Sequence, residues 1–265
     1  MPFVSVRITR DGVTPEQKAQ VIAEITETLE RVLNKRPDLT HIVIEEVMRP
    51  SVTLDFVSDV VCPWCALGAT ALEQAIENLA DEISVELTYK PFELNPDMPA
   101  EGENAVAHLM RKYARSAEEV AAGKALQIAR GQAIGFRFDL DKRSHFYNTF
   151  DAHRLLFWAS QEGRQIALKR ALLRAYFADG QNPSDHETLV RLAGEAGLDR
   201  ARAKEVLTCG AFANEVRALE VFYRERGINS VPAMILNGRH LVSGSQSVEY
   251  YEQMLRQMAQ TPAEA

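Results

Sequence analysis

Apolar positions along this chain change period several times, and each change marks an element. In "FVSVRIT", Val4, Val6 and Ile8 alternate with other residues, the period of a strand with one covered face. Val21, Ile22, Ile25, Leu29, Val32 and Leu33 then recur at helical spacing. That helix has a readable start: Thr14 as N-cap, Pro15 at the first helical position and Gln17 placed to close a capping box. "KRPD" ends it, and a second strand, "HIVIEEV" at 41–47, completes a βαβ unit with parallel strands and a right-handed crossover. So small a unit cannot bury both faces of its strands, and it must pack on the rest of the chain or on other copies of itself.

After the short break "MRPS" (48–51) the pattern starts again. "VTLDFVS" reads as a strand, residues Leu67, Ala71, Leu72, Ala75, Ile76 and Leu79 as an amphipathic helix, and Ile83, Val85, Leu87 and Tyr89 as an alternating strand. From about Glu103 to Arg226 helical periodicity dominates, with a Ser184/Glu187 capping box opening one helix. "VPAMIL" and "HLVSG" return to β, joined by an Asn237-Gly238 hairpin signal, and a helix follows from about Ser247. "QTPAEA" closes the chain as a frayed tail. This order predicts an α/β protein in two parts: a small βαβ module over 1–50, then a thioredoxin-like fold over 51–265 with a large helical insertion at about 103–226.

Composition narrows the function. Among 265 residues, 30 Lys and Arg stand against 37 Asp and Glu, a formal net charge of −7, which argues against nucleic acid as partner. No apolar run is long enough to span a bilayer, and the N-terminus lacks the pattern of a secretory signal. The expectation is a cytoplasmic protein without a membrane partner. Three cysteines make no disulfide framework, so Cys62 and Cys65 in "VSDVVCPWCALGAT" are better read as metal-binding or catalytic.

Redox chemistry in a Cys-x-x-Cys pair needs the first sulfur as a thiolate. A strand that delivers the pair to a helix start meets that need, because unpaired N–H groups and the helix dipole favour an anion there. Pro63 suits the first turn, and Cys65, one turn on and less exposed, is placed to resolve a mixed disulfide at Cys62. Structural zinc takes four ligands, whereas here only Cys209 remains, read as a small buried residue, and no His closely follows the pair. No metal is expected. Trp64 either tunes the environment of the pair or offers an apolar contact, Asn95 and Pro96 read as turn residues, and His153 reads as a packed structural histidine. Residues 184–207, with Arg200, Arg202 and Lys204, have a helix-turn-helix look, against which the acidic balance weighs.

The stretches "DFVSDVVCPWC", "PFELNPDMP", "NTFDAHRLLFWA", "INSVPAMILNG" and "VSGSQ" together resemble the DsbA family, in particular its cytosolic FrnE-like branch of dithiol-disulfide oxidoreductases. The resemblance covers 52–258 and implies that Pro232 is a cis-proline facing the disulfide. The Val231 backbone would then be free to pair with an extended substrate segment. It also raises His153 to an active-site neighbour. The implied activity is thiol-disulfide exchange or isomerisation on a protein or small molecule carrying thiols or disulfides. No resident cofactor is implied, glutathione is a candidate redox partner, and a reducing compartment favours reductase or isomerase over net oxidase. One rival is a glutathione-dependent isomerase or transferase of the same fold, which typically has serine where Cys62 stands. Another is a non-catalytic metal- or DNA-binding protein.

The opening "MPFVSVRITRDGVTPEQKAQVIAEI" resembles the 4-oxalocrotonate tautomerase family over about residues 2–47. There the initiator Met is removed and the exposed proline amine, here Pro2, serves as general base in keto-enol tautomerisation. The family's substrate-binding arginines are replaced by Gly12-Val13 and His41, with Arg7 and Arg10 the nearest guanidinium groups, and its glycine-rich hairpin after the second strand is missing. Two readings stay open: an oligomerisation module that makes the protein a homo-oligomer, or a second catalytic site at Pro2.

Overall fold

The computed structural model describes residues 1–99 and 101–260 apart from Asp11, so the last five residues of the expected frayed tail lie outside the described residues. The first unit is β1 (Phe3–Thr9), α1 (Pro15–Leu33), a 3-10 turn (Pro37–Leu39) and β2 (His41–Val47). β1 and β2 are parallel, in register from Phe3↔His41 to Thr9↔Val47. The capping box forms: Gln17 N–H donates to the Thr14 hydroxyl, and Thr14 N–H donates to the Gln17 side chain. Asn34 takes the left-handed conformation that ends α1.

No described residue from 1 to 50 is buried. The unit therefore does not pack its apolar surface on the rest of the chain, one of the two outcomes its size allowed. Val4, Val6 and Ile8 are half-covered on one side of the strand pair, while the other side leaves Phe3 69% and Val43 41% exposed.

The second unit runs β3 (Ser51–Ser58), α2 (Pro63–Asn78), β4 (Ser84–Pro91), then β5 (Glu103–Asn104), α3 (Ala105–Tyr113), α4 (Ala117–Ala133) and β6 (His145–Phe146). It continues with α5 (Phe150–Gln161), α6 (Gln165–Phe177), α7 (His186–Glu195), α8 (Arg200–Thr208), α9 (Ala213–Glu225), β7 (Ala233–Leu236), β8 (His240–Ser243) and α10 (Val248–Gln260). Its sheet has the order β4-β3-β7-β8, with β3 parallel to β4 and antiparallel to β7, and β7 antiparallel to β8. This is the thioredoxin-like arrangement with a helical insertion. Positive φ at Asn237 and Gly238 lets the chain turn between β7 and β8 as their side chains promised.

Alternation along β3 divides the core. Leu54 and Phe56 pack with Leu72 of α2 and Leu255 of α10, whereas Val57 joins Phe92, Tyr223 and Ile228 on the opposite face. Gly68 lets α2 approach closely: a Cβ there would sit 3.3 Å from the Phe56 ring and 3.4 Å from Pro232. Buried Arg154 gives the C-terminal carbonyls of α8 a partner, donating to Val206 O and, at 2.7 Å, to Ala211 O beyond it.

Two expectations are corrected. The N-cap of α7 is Asp185, which accepts Thr188 N–H at 2.8 Å, while the Ser184 hydroxyl donates to Asn182. Adjacent small polar residues compete for a cap, and the neighbouring Asx turn captured the serine. Cys209 is exposed rather than buried, because it stands at the C-terminal cap of α8, past the last apolar turn.

β4 is an edge strand, and a helix side chain covers that edge. Gln165 accepts Tyr89 N–H at 2.8 Å and donates to Tyr89 O at 2.9 Å, as a neighbouring strand would. Gln165→Ala strips the partner from both groups and should cost ~2–3 kcal/mol, the scale of leaving buried polar groups unsatisfied. A urea unfolding curve checks this; an unchanged midpoint would contradict it.

Candidate active site

β3 ends at Ser58, and the loop after it brings Cys62 to the N-cap of α2 in extended conformation. Pro63 follows inside the first turn, where a missing N–H costs nothing. The Cys62 sulfur accepts Cys65 N–H at 3.3 Å, the capping role that Ser or Asp usually fills. Across the site, Cys62 Sγ lies 3.6 Å from Val231 O, and the Val231–Pro232 bond is cis. Both cysteines are free thiols and buried, Cys65 more completely. Burial pushes the Cys65 thiol well above the ordinary thiol range, and the neighbouring Cys62 adds to the rise; Lys169 pulls the other way.

Beneath the pair lies a buried carboxylate. Asp59 accepts Leu94 N–H at 2.7 Å, its backbone carbonyl accepts Cys62 N–H, and its Oδ1 stands 3.5 Å from His153 Nε2. Burial drives this carboxyl up, but His153, Leu94 N–H and Thr149 outweigh it and hold it below its ordinary value. Asp59 thus ties three segments together: the cysteine loop, the turn after β4, and α5.

The surroundings come mainly from the insertion. Arg130 of α4 stacks 5.2 Å from the centre of a Trp64 ring, on the tryptophan between the cysteines. Tyr113, at the end of α3, has its hydroxyl raised by burial and then by Cys62. Buried Glu93 and Glu220 share Arg217, which donates to both and stacks 3.8 Å from the Phe150 ring centre. Burial raises Glu93, and the like charge of Glu220 adds to that.

The structure therefore brings Cys62, Cys65, Trp64, Val231, Pro232 and, through Asp59, His153 into one place. Pro2 belongs to the other unit, half-buried, its carbonyl accepting His41 N–H at 3.0 Å; no described hydrogen bond or ion pair joins it to the cysteines. Among the described residues no cluster of three or more His, Cys, Asp or Glu could hold a metal ion, and no helix is long and apolar enough to cross a membrane. Asp59, Lys169, Glu93, Arg217 and Glu220 were not picked out from the sequence. A usable signal existed for two of them: Lys169 and Glu220 interrupt the apolar stripes of their helices.

Residues 53–256 match the family model for a DSBA-like thioredoxin domain. The chain belongs to that family. Residues 2–52 match the tautomerase enzyme family, so a tautomerase domain precedes the DsbA-like domain. A probable DsbA oxidoreductase from Streptomyces coelicolor superposes with a TM-score of 0.74 at 34% identity, covering 81% of this chain and 92% of that one. The cytosolic disulfide reductase DsbM from Pseudomonas aeruginosa shares the fold, with a TM-score of 0.55 at 19% identity over 79% of this chain and 100% of that one. A probable tautomerase, K2, from Dickeya dadantii (strain 3937) is 55% identical over 47 residues, 18% of this chain and 70% of that protein.

Asp59→Asn keeps an acceptor for Leu94 but removes the charge facing His153, and should cost about 2 kcal/mol at neutral pH, the scale of a charge-assisted hydrogen bond. The folded protein holds this carboxyl below its ordinary value, so the stability it supplies is present above that range. It is lost as pH falls through the lowered value. Unfolding curves at a series of pH values should show a shallower acid limb in the variant of the DsbA-like domain; superimposable limbs would refute the assignment.

Proposed function

We propose that the DsbA-like domain is a thiol-disulfide oxidoreductase or isomerase in which Cys62 attacks and Cys65 resolves. The observation that carries this reading is the Cys62 sulfur at the N-cap of α2, accepting Cys65 N–H and lying 3.6 Å from Val231 O. An anionic sulfur at that place meets the N–H groups and positive dipole end of the helix. The Cys62 thiolate attacks a substrate disulfide, forming a mixed disulfide and releasing one substrate thiol. The Cys65 thiolate then attacks Cys62 Sγ, forming the internal disulfide and releasing the second thiol. A thiol reductant such as glutathione restores the pair.

The substrate is a protein or small molecule bearing a disulfide or thiols. Val231 and Pro232, beside Cys62, would line the path of its extended segment, and Trp64, backed by Arg130, would offer it an apolar contact. His153 acts indirectly, holding Asp59 under the cysteine loop. We place the protein in the cytoplasm, where a reducing poise favours reduction and isomerisation. Insulin reduction coupled to a thiol reductant is the assay. Cys62→Ser should abolish turnover, and Cys65→Ser should accumulate the mixed disulfide; wild-type turnover by Cys62→Ser sinks the reading.

The tautomerase domain is proposed to assemble copies of the chain through its uncovered sheet face, and to carry a second site at Pro2 once Met1 is removed. The apolar exposure of Phe3 and Val43 supports the first role, and the kinship with tautomerases supports the second. Light scattering should give a multiple of the 29.6 kDa chain mass, reduced by Phe3→Glu with Val43→Glu. On the same sample, Pro2→Ala should lose ketonisation of the enol of phenylpyruvate. A monomeric wild type defeats the assembly role, and undiminished turnover in Pro2→Ala defeats the catalytic one.

A further inference from the structure

Trp64, between the two cysteines, carries a cation on its ring: the guanidinium carbon of Arg130 lies 5.2 Å from the ring centre. Trp64 is half-buried, and Arg130, on α4, is exposed. Other arginines of the insertion have acids to hold them: Arg111 donates to Glu103 at 2.6 Å, and Arg137 stands 3.7 Å from Asp139. No carboxylate among the described residues forms an ion pair with Arg130, whose one recorded contact is the Trp64 ring. A guanidinium resting on an aromatic face keeps its N–H edge free, and that edge fits a carboxylate through two parallel hydrogen bonds.

Room for such a group exists along α4. Gly123 and Gln127 precede Arg130 by seven and three residues, so the three share one stripe of the helix. A Cβ at Gly123 would meet nothing within 4 Å. Glycine weakens a helix interior, and here no close contact requires it; its effect is to leave the stripe open. A second cation flanks the site from α3. Lys112 Nζ donates to Leu94 O at 2.6 Å and to Asn95 Oδ1 at 2.7 Å, both neutral acceptors. Leu94 N–H in turn donates to Asp59, whose backbone carbonyl accepts Cys62 N–H. The chain as a whole carries −7, which repels anions at long range, and these two cations oppose that field beside the dithiol.

We propose that Arg130 determines specificity by binding a carboxylate of the substrate, so that the dithiol selects small anionic disulfides over neutral or cationic ones. This deepens the dithiol reading above and rests on it. With the carboxylate on the Arg130 guanidinium and the adjoining atoms against the Trp64 ring, the Cys62 thiolate attacks a substrate sulfur. A bond forms between the two sulfurs and the substrate disulfide bond breaks. The leaving sulfur keeps that electron pair and is protonated from solvent, and the carboxylate is unchanged.

The test uses the reduced full chain and three symmetrical disulfides: those of N-acetyl-cysteinylglycine, of its C-terminal amide and of N-acetyl-cysteinyl-lysine amide. The two glycine peptides match in length and differ at the carboxylate. Second-order rates of dithiol oxidation are measured at low and high salt by acid quench and thiol counting. At low salt the wild type should react about tenfold faster with the carboxylate peptide than with the amide, the scale of a charge-assisted hydrogen bond. The lysine peptide should be slowest, and the spread should shrink at high salt. Arg130→Met should bring the preference to about one while leaving the amide rate within about twofold, as removal of a rim charge does. Arg130→Lys should keep part of the preference, having the charge without the planar fork, and Arg130→Glu should reverse it. A wild type without preference overturns the proposal, and so does a preference undiminished by salt, which needs no variant. An equal loss on all three peptides in Arg130→Met overturns it as well, marking a structural role for the Trp64 contact. Absence of a mixed disulfide at Cys62 with any of the peptides would instead defeat the dithiol reading, and the proposal with it.

Discussion

A helix begins with backbone N–H groups that have no partner within it, and something must accept from them. In this chain the acceptor at the start of α2 is the sulfur of Cys62, which takes the N–H of Cys65. That contact joins fold and chemistry, because what caps the helix is also the atom that would react. The rest of the domain serves to hold it there. β3 carries the chain to the site, Gly68 allows α2 to lie against Phe56 and Pro232, and Val231 O closes the far side.

Around this contact the domain accepts several buried charges that a purely structural core would avoid. Asp59 is held by a backbone N–H and faces His153; Glu93 and Glu220 share one arginine; Lys169 has no hydrogen-bonded partner among the described residues. Several of these groups come from the helical insertion, on α5, α6 and α9. The insertion is therefore part of the site's electrostatics as well as its cover. Low local dielectric makes each such charge act strongly on its neighbours.

The N-terminal domain obeys a different constraint. A helix on two parallel strands cannot surround itself with apolar contacts, and here none of its described residues is buried. Its join to the DsbA-like domain is short, and Arg49 within it donates to Ala80 O. Two families thus share a chain, one with a core of its own and one without, each with its own candidate nucleophile or base: Cys62 in one, Pro2 in the other.

Period, caps and turns are settled within four or five neighbouring residues, and these were legible from the residues alone. Thr14 with Gln17, the alternation in β1 and β2, the strand leading to the cysteines and the Asn237-Gly238 turn all belong to that class. The candidate site was half legible for the same reason: a dithiol at a helix start is local geometry. Its buried partners were not. Lys169 sits among Gln165, Leu168, Leu172 and Tyr176 on one helix face, and only the docking of that face against Tyr89 gives a surface-type residue a buried nitrogen without a hydrogen-bond partner among the described residues. Cys209 went the other way, left exposed at the C-cap of α8, past its last apolar turn. Sequence determined the elements that local pattern and caps define, though not the cap of α7 or the separate helices of the insertion; tertiary structure decided which side chains lose their water, because burial belongs to the meeting of two surfaces and is written in neither one.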